Sequence, residues 1–264
     1  MGKTAKIFPI IGFILIWLIF SWKFFLKNYI PAPLDMLTNF YAPWQLYQVF
    51  PIKNPAIPDI VTQIMPWKIF TITQLKLGLI PLWNPFNFSG APHLANFQSA
   101  VFSPANFLFF IPASLIGGFP FVNAWSLLIL FQPLLAGIFT ILYCRKIGLK
   151  KFSSFLSGLS FAFCGFLTVW LEYGTLGWAI LWLPLTFLLW EYFWETKKWV
   201  YWILINIAIS FSLLSGHLQI SLYLIMANIL YCGFAYWQKK YKRKYLLICL
   251  TTFIFPFLLP FAGF

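Results

Sequence analysis

The length of the apolar runs constrains this chain more than any other feature. Residues 7 to 26 read "IFPIIGFILIWLIFSWKFFL", with a single charge at Lys23, and about 20 such residues of helix cross a hydrocarbon layer about 30 Å thick. Comparable runs fall at about 123 to 143, 153 to 171, 176 to 194, 199 to 215, 219 to 237 and 245 to 262. The expected architecture is therefore all-α, a polytopic transmembrane bundle of about seven spans. A membrane barrel would instead show alternating strands of about ten residues. Composition agrees: 9% of the chain is charged and 61% hydrophobic, where soluble domains carry roughly 25% charged residues.

A net charge of +13 raises the question of nucleic acid, which the placement of the basic residues answers. With the N-terminus inside, Lys3, Lys6, Arg145, Lys146, Lys150, Lys151, Lys197, Lys198 and the basic run from Lys239 to Lys244 all fall on the inner side, 13 of the 18 basic residues. That asymmetry is the positive-inside pattern of a multi-pass membrane protein, and no nucleic-acid partner is expected. Cys144, Cys164, Cys232 and Cys249 lie within or at the ends of spans without metal-binding or disulfide spacing, so they read as small apolar fillers. The first run is too long for a signal peptide and lacks a small-x-small cleavage site, which makes it a retained anchor. The stretch 101 to 119, "VFSPANFLFFIPASLIGGF", is expected to lie in the interface or to dip in and return, because a full crossing would move the cluster at Arg145 outside.

Three regions result: an anchor over 1–27, a large outer loop over 28–122 carrying interfacial helices, and a helical bundle over 123–264. The chain stops at Phe264 after an apolar span containing Pro256 and Pro260, and reads as the N-terminal piece of a longer protein. Every other outer connection is a few residues long. Function is expected in the 28–122 loop.

Only five acidic residues occur. Glu191 and Glu195 sit at the inner end of the fourth span beside Lys197 and Lys198, where solvated interfacial pairing is expected. Asp35, Asp59 and Glu172 lie on the outer side. Asp59 opens "DIVTQIMPWKIFTITQLKLG", in which Asp59 and Gln63 share a helix face and apolar residues recur at Ile60, Ile64 and Trp67. This segment reads as an amphipathic helix on the membrane, with Lys68 and Lys76 on its wet side, Trp67 at headgroup depth and Pro66 bending it. Asp59 is placed either to cap that helix after Pro58 or to act chemically. Asp35, in "PAPLDMLTNFYAPW", is either a turn residue or a second functional acid. Glu172 precedes the short outer turn "YGTLGW", and His217 and Gln219 stand in "SGHLQI" between the fifth and sixth spans. Each either solvates a helix end or faces a ligand.

The polar stretch "LIPLWNPFNFSGAPHLANFQSA" is unusual in so apolar a chain. Trp83 and Phe86 offer flat apolar faces; Asn84, Asn87, Asn96, Gln98 and His93 offer donors and acceptors; Pro81, Pro85, Pro92 and Gly90 fix turns. Such a loop gains little by burial in lipid. Aromatic planes beside amides suit a sugar ring, whose C–H faces pack on π surfaces while its hydroxyls need polar partners; a rigid plug over the mouth of the bundle is the other reading.

An aspartate soon after the first span, "DIVTQIMPW", "LKLGLIPLWNPFNFSGAPHLANFQSAVFSPANFLFF", "LSGLSFAFCGF", "WAILWLPLTFLLWE" and "LLSGHLQISLY" together resemble the YfhO-type bacterial membrane proteins, which belong with the GT-C glycosyltransferases. The likeness spans most of the 264 residues, its most specific part being D-x-x-x-Q followed by G-x-x-P-L-W-N-P and S-G-x-P. It implies an enzyme of the bacterial cytoplasmic membrane that takes a sugar from a polyprenyl-phosphate donor and gives it to a cell-envelope polymer or lipid, with its catalytic aspartate in the first outer loop. That aspartate maps onto Asp59 or Asp35.

The chemistry is compatible with a single carboxylate. Glycoside hydrolases use two carboxyl groups because an alkoxide leaving group must be protonated, whereas a lipid phosphate departs as a stable anion. Asp59 or Asp35 would accept the proton of the acceptor hydroxyl as it attacks the anomeric carbon, with inversion, while Lys53, Lys68, Lys76 or His217 holds the phosphate. No cofactor is required, although two nearby aspartates would also suit a divalent cation. No Walker loop, G-x-S-x-G, H-E-x-x-H or dinucleotide fingerprint appears. Two other classes fit the same composition: a transporter or flippase of a lipid-linked substrate, suggested by Pro133, Gly137 and Pro184 within spans, and a non-catalytic scaffold that binds glycan.

Overall fold

The computed structural model describes residues 4–46, 51–116, 121–238, 248–249 and 251–252. The described residues are mostly helical. In chain order the helices are α1 (Thr4–Phe20), α2 (Trp22–Lys27), α3 (Leu37–Phe40), α4 (Ala42–Gln45), α5 (Met65–Lys76), α6 (Ile111–Ile116), α7 (Phe121–Lys146), α8 (Lys151–Ala162), α9 (Gly165–Val169), α10 (Leu176–Ile180), α11 (Leu183–Thr196), α12 (Trp199–Leu213) and α13 (Leu218–Trp237). Strands β1 (Trp83–Asn84) and β2 (Ala91–Pro92) form a minimal antiparallel hairpin, Trp83 opposite Pro92 and Asn84 opposite Ala91. The chain divides into two compact units, Met1–Trp22 with Leu130–Phe264, and Lys23–Ile129.

Along the chain, length and apolarity follow the sequence only in part. Among the described residues four helical stretches are long and apolar enough to cross a membrane: Phe121–Lys146, Lys151–Val169, Leu176–Thr196 and Leu218–Trp237. This marks a membrane protein. The expected first and fifth spans are shorter apolar helices, Phe8–Phe20 and Trp199–Leu213, and the expected span at 245–262 lies almost entirely outside the described residues. The third expected span is interrupted where Phe163 leaves helical geometry and Cys164 turns extended before α9.

Packing in the first unit follows from small residues and aromatic side chains. A methyl group on Gly137 would fall 2.0 Å from the Phe13 ring, and one on Gly158 2.6 Å from Ile141, so α1, α7 and α8 approach closely only because these positions are glycine. Trp17 donates through Nε1 to the Leu130 carbonyl at 2.8 Å, in the turn of α7 that Pro133, without an N–H, weakens. A second core gathers Trp190, Phe193, Ile205, Ile209, Leu213 and Leu224 from α11, α12 and α13. Two polar pairs lie among these helices: Trp190 Nε1 donates to Asn228 Oδ1 at 3.1 Å, and Ser212 and Ser221 bond each other.

The inner-end acids differ from expectation. Glu195 forms an ion pair with Lys146 of α7, whose ammonium also lies 4.3 Å from the Tyr192 ring centre. Glu191 accepts a hydrogen bond of 2.6 Å from Tyr231. Both thus tie α11 to helices distant in sequence. None of the four cysteines forms a disulfide, and Cys144, Cys232 and Cys249 are buried, as expected of fillers.

The second unit holds the outer loop of the sequence reading. A π-helical turn over Ile60–Ile64 leads into α5, and another over Asn106–Phe110 leads into α6. Its buried residues include Ile60, Val61, Ile64, Ile72, Val101 and Phe110. Trp125, at the start of α7, donates to the Pro31 carbonyl at 3.2 Å. The 101–119 stretch, where described, is this π turn and the short α6 rather than a crossing helix.

Candidate functional site

Positions 61, 64, 65, 68, 71 and 72 recur at three- and four-residue spacing, so a helix carries them on one face. All six are buried: Val61, Ile64, Met65, Lys68, Thr71 and Ile72. Lys68 is therefore inside, 3% exposed, and the expectation that it marks the wet side with Lys76 is corrected. Lys76 at the end of α5 is exposed. The apolar face wins because Lys68 finds a polar partner within the unit, which lowers the cost of burial.

That partner is Asn106, the first residue of the second π turn. The Lys68 ammonium donates to Asn106 Oδ1 at 2.8 Å, and Asn106 Nδ2 donates to the carbonyls of Ala100 and Val101 at 2.8 and 2.9 Å. Ala100 adopts left-handed geometry, φ 50°, which turns the chain so that both carbonyls face one amide. Three residues along α5 from Lys68, Thr71 Oγ1 and His93 Nε2 stand 2.8 Å apart. His93 is 1% exposed, accepts Ser99 Oγ on its carbonyl at 3.1 Å, and meets the Phe70 ring edge-on at 4.9 Å. Its Nδ1 is buried without a hydrogen-bond partner.

The electrostatics follow from this enclosure. Among the described residues no carboxylate pairs with Lys68, and burial pushes its ammonium down to about 7. Burial, and secondarily the charge of Lys68, push His93 down to about 4. The cluster is thus a neutral imidazole beside a lysine whose charged form burial disfavours. Such a lysine favours an anion, whose charge offsets the desolvation, and it exchanges protons readily.

The other residues singled out from sequence are dispersed. Asp59 is exposed; its side chain does not cap the following turn but accepts Gln63 Nε2 at 3.1 Å, so the D-x-x-x-Q pair meets on one helix face. Asp35 is half-buried and its carboxylate accepts the Lys53 amide at 2.8 Å, while its carbonyl accepts Thr38 and Asn39. Asp35 therefore closes a loop as a turn residue does. Asn84 is buried and accepts the Phe86 amide at 2.9 Å, and Asn96 accepts the Gln98 amide at 3.2 Å. These two amides hold turns, and His93 bridges α5 and the 93–99 segment through Thr71 and Ser99. Trp67 and Asn87 are half-buried, whereas Gln98, Trp83 and Phe86 are exposed. Glu172, His217 and Gln219 belong to the first unit, where Glu172 and His217 are half-buried and Gln219 donates to Tyr223 at 2.6 Å.

Among the described residues no three His, Cys, Asp or Glu side chains converge as metal ligands. A cavity of about 400 Å³ lies in the first unit, lined by Phe8, Pro9, Gly12, Lys151, Phe152 and Phe155, and none of the residues singled out from sequence lines it. Asn106 and Thr71 were missed. The signal for them was the placement of Lys68 on the apolar face of α5, which demands buried polar partners. No protein-family profile, curated protein or solved structure matches this chain.

Proposed function

We propose that the chain is a membrane enzyme that moves a sugar from a polyprenyl-phosphate donor to a cell-envelope polymer or lipid on the outer face of the membrane, as the likeness to YfhO-type proteins implies. In this reading it crosses the bacterial cytoplasmic membrane seven times, GT-C-like, with the N-terminus inside and residues 28–122 outside. The observation that carries the reading is the buried Lys68 ammonium, which has one neutral partner, Asn106, and is close enough to act by charge on His93, whose Nδ1 has no partner. A departing lipid phosphate supplies the negative charge that this environment lacks, and its approach draws Lys68 into its charged form. The acceptor hydroxyl gives its proton to Asp59, oriented by Gln63, or to Asp35.

Membranes carrying the protein, supplied with radiolabelled polyprenyl-phosphate sugar, test this directly. Replacing the base, Asp59→Asn or Asp35→Asn, is expected to slow label transfer by about 10²- to 10⁴-fold, and Lys68→Met by about 10²- to 10³-fold. Transfer that survives both aspartate changes rejects the base assignment. A scaffold reading has its own support, since the Lys68–Asn106 bond also ties α5 to the 100–106 turn. On that reading no label is transferred by the wild-type chain, and Lys68→Met changes only its stability.

A further inference from the structure

The loop unit carries a second feature that the transferase reading does not use. Residues 77 to 116 contain no Asp, Glu, Lys or Arg, forty positions in a row. Within them the segment from Leu77 to Phe88 turns its apolar side chains outward. Leu77, Leu79, Ile80 and Leu82 are exposed, Phe86 is 82% exposed and Phe88 99%. The backbone leaves them no alternative. Pro81 and Asn84 take the inward positions, the Leu82 carbonyl accepts the His93 amide at 2.8 Å, and the β1–β2 pairing fixes the register. Phe88 and Ser89 both hold left-handed geometry, φ 49° and 65°, which lifts the Phe88 ring to the tip.

A contiguous apolar surface of this kind marks an interaction site. Its occupant is indicated by charge and by tethering. A protein partner or an anionic glycan would be met by charged groups at the rim, yet the first charge before this segment is Lys76 and none follows within the unit's described residues. The unit is connected in sequence to the apolar α1 on one side and opens the membrane-length helix α7 on the other, which keeps it at a bilayer surface. Lys76 suits the headgroups and Trp83 the interface, while Leu and Phe side chains suit the acyl boundary beneath.

We infer that the Leu77–Phe88 segment inserts into the outer layer of lipid as a membrane-dipping loop. Trp83 and Phe86, read from sequence as faces for a sugar ring, belong to this lipid-facing surface. The reading that the loop gains little by burial in lipid then gives way, because the Leu82 and Phe86 amides bond within the segment, Asn84 is buried and the most exposed side chains are apolar.

The test uses the full chain with its four cysteines replaced by alanine, reconstituted in vesicles of phosphatidylcholine and phosphatidylglycerol. Single cysteines replacing Phe88, Leu82, Lys53 and Leu230 carry a nitroxide, and collision with oxygen and with a water-soluble nickel chelate is measured at each. Lys53 is the aqueous reference; Leu230, exposed on α13, is the lipid reference. Expected is an oxygen-to-nickel ratio at 88 and 82 that matches 230 and exceeds 53 several-fold. A ratio at both sites equal to that at 53 overturns the inference. Spin–spin broadening at 88 that disappears on diluting the protein in lipid, with nickel access appearing as it does, assigns the surface to a second copy of the chain and also overturns it.

Discussion

Lys68 and His93 determine how the loop unit responds to pH. The folded unit holds the Lys68 ammonium at about 7 against an ordinary value of 10.5, so between these values the unfolded chain binds a proton that the folded one declines. Stability therefore rises as pH climbs from about 7 towards 10.5, and the full penalty applies below 7. His93, held at about 4 against 6.5, gives a second rise between those values. Thermal unfolding of the solubilised protein, followed from pH 7 to 10, is expected to show a higher midpoint at the alkaline end. In Lys68→Met that slope should flatten. A wild-type midpoint that falls across this window, or one that the substitution leaves unchanged in slope, contradicts the burial of the ammonium.

At the scale of elements, two glycines do different work. Gly90 ends the hairpin turn with φ +121°, and a methyl group there would fall 2.7 Å from the Trp83 indole. Gly90→Ala therefore meets backbone strain of about 1–3 kcal/mol as well as a clash. It is expected to increase hydrogen exchange across 83–92 while sparing α13. Gly137→Ala drives a methyl group into the Phe13 ring; overpacking of this kind costs about 1–3 kcal/mol. Its signature is a lower thermal midpoint, recovered in part by Phe13→Leu, and a loss that Phe13→Leu deepens argues against direct contact. The elements themselves were legible in different degrees. The long runs that became α7, the α10–α11 stretch and α13 stood out because a membrane-length helix needs only sustained apolarity. The breaks at Ser21 and Cys164, and the π turns before α5 and α6, were not, since they depend on packing that no local pattern records.

For the whole molecule the decisive property is sidedness. In the seven-span proposal, with the N-terminus inside, the 28–122 loop and the 145–151 connection fall on opposite faces of the membrane. Cysteines introduced at Gln98, exposed in the loop unit, and at Lys150 are expected to react with an impermeant maleimide from opposite sides of sealed vesicles. Labelling of both from one side contradicts the seven-span reading. The candidate site was legible by residue type more than by position. Lys68, His93 and Asp59 were all singled out, yet the sequence put Lys68 on the wet side of its helix, and only the structure shows that Lys68 and His93 are both enclosed.

By itself the sequence determined the membrane-helical class and the concentration of polar chemistry in one loop. Both follow from solvation: sustained apolarity has one low-cost environment, and backbone amides in lipid are satisfied within helices. Only the tertiary structure decided which polar groups are buried and which apolar ones are not. A lysine can enter a core when an asparagine elsewhere in the chain meets it, and phenylalanines can be forced outward by a left-handed turn. Neither outcome is written in the local order of residues.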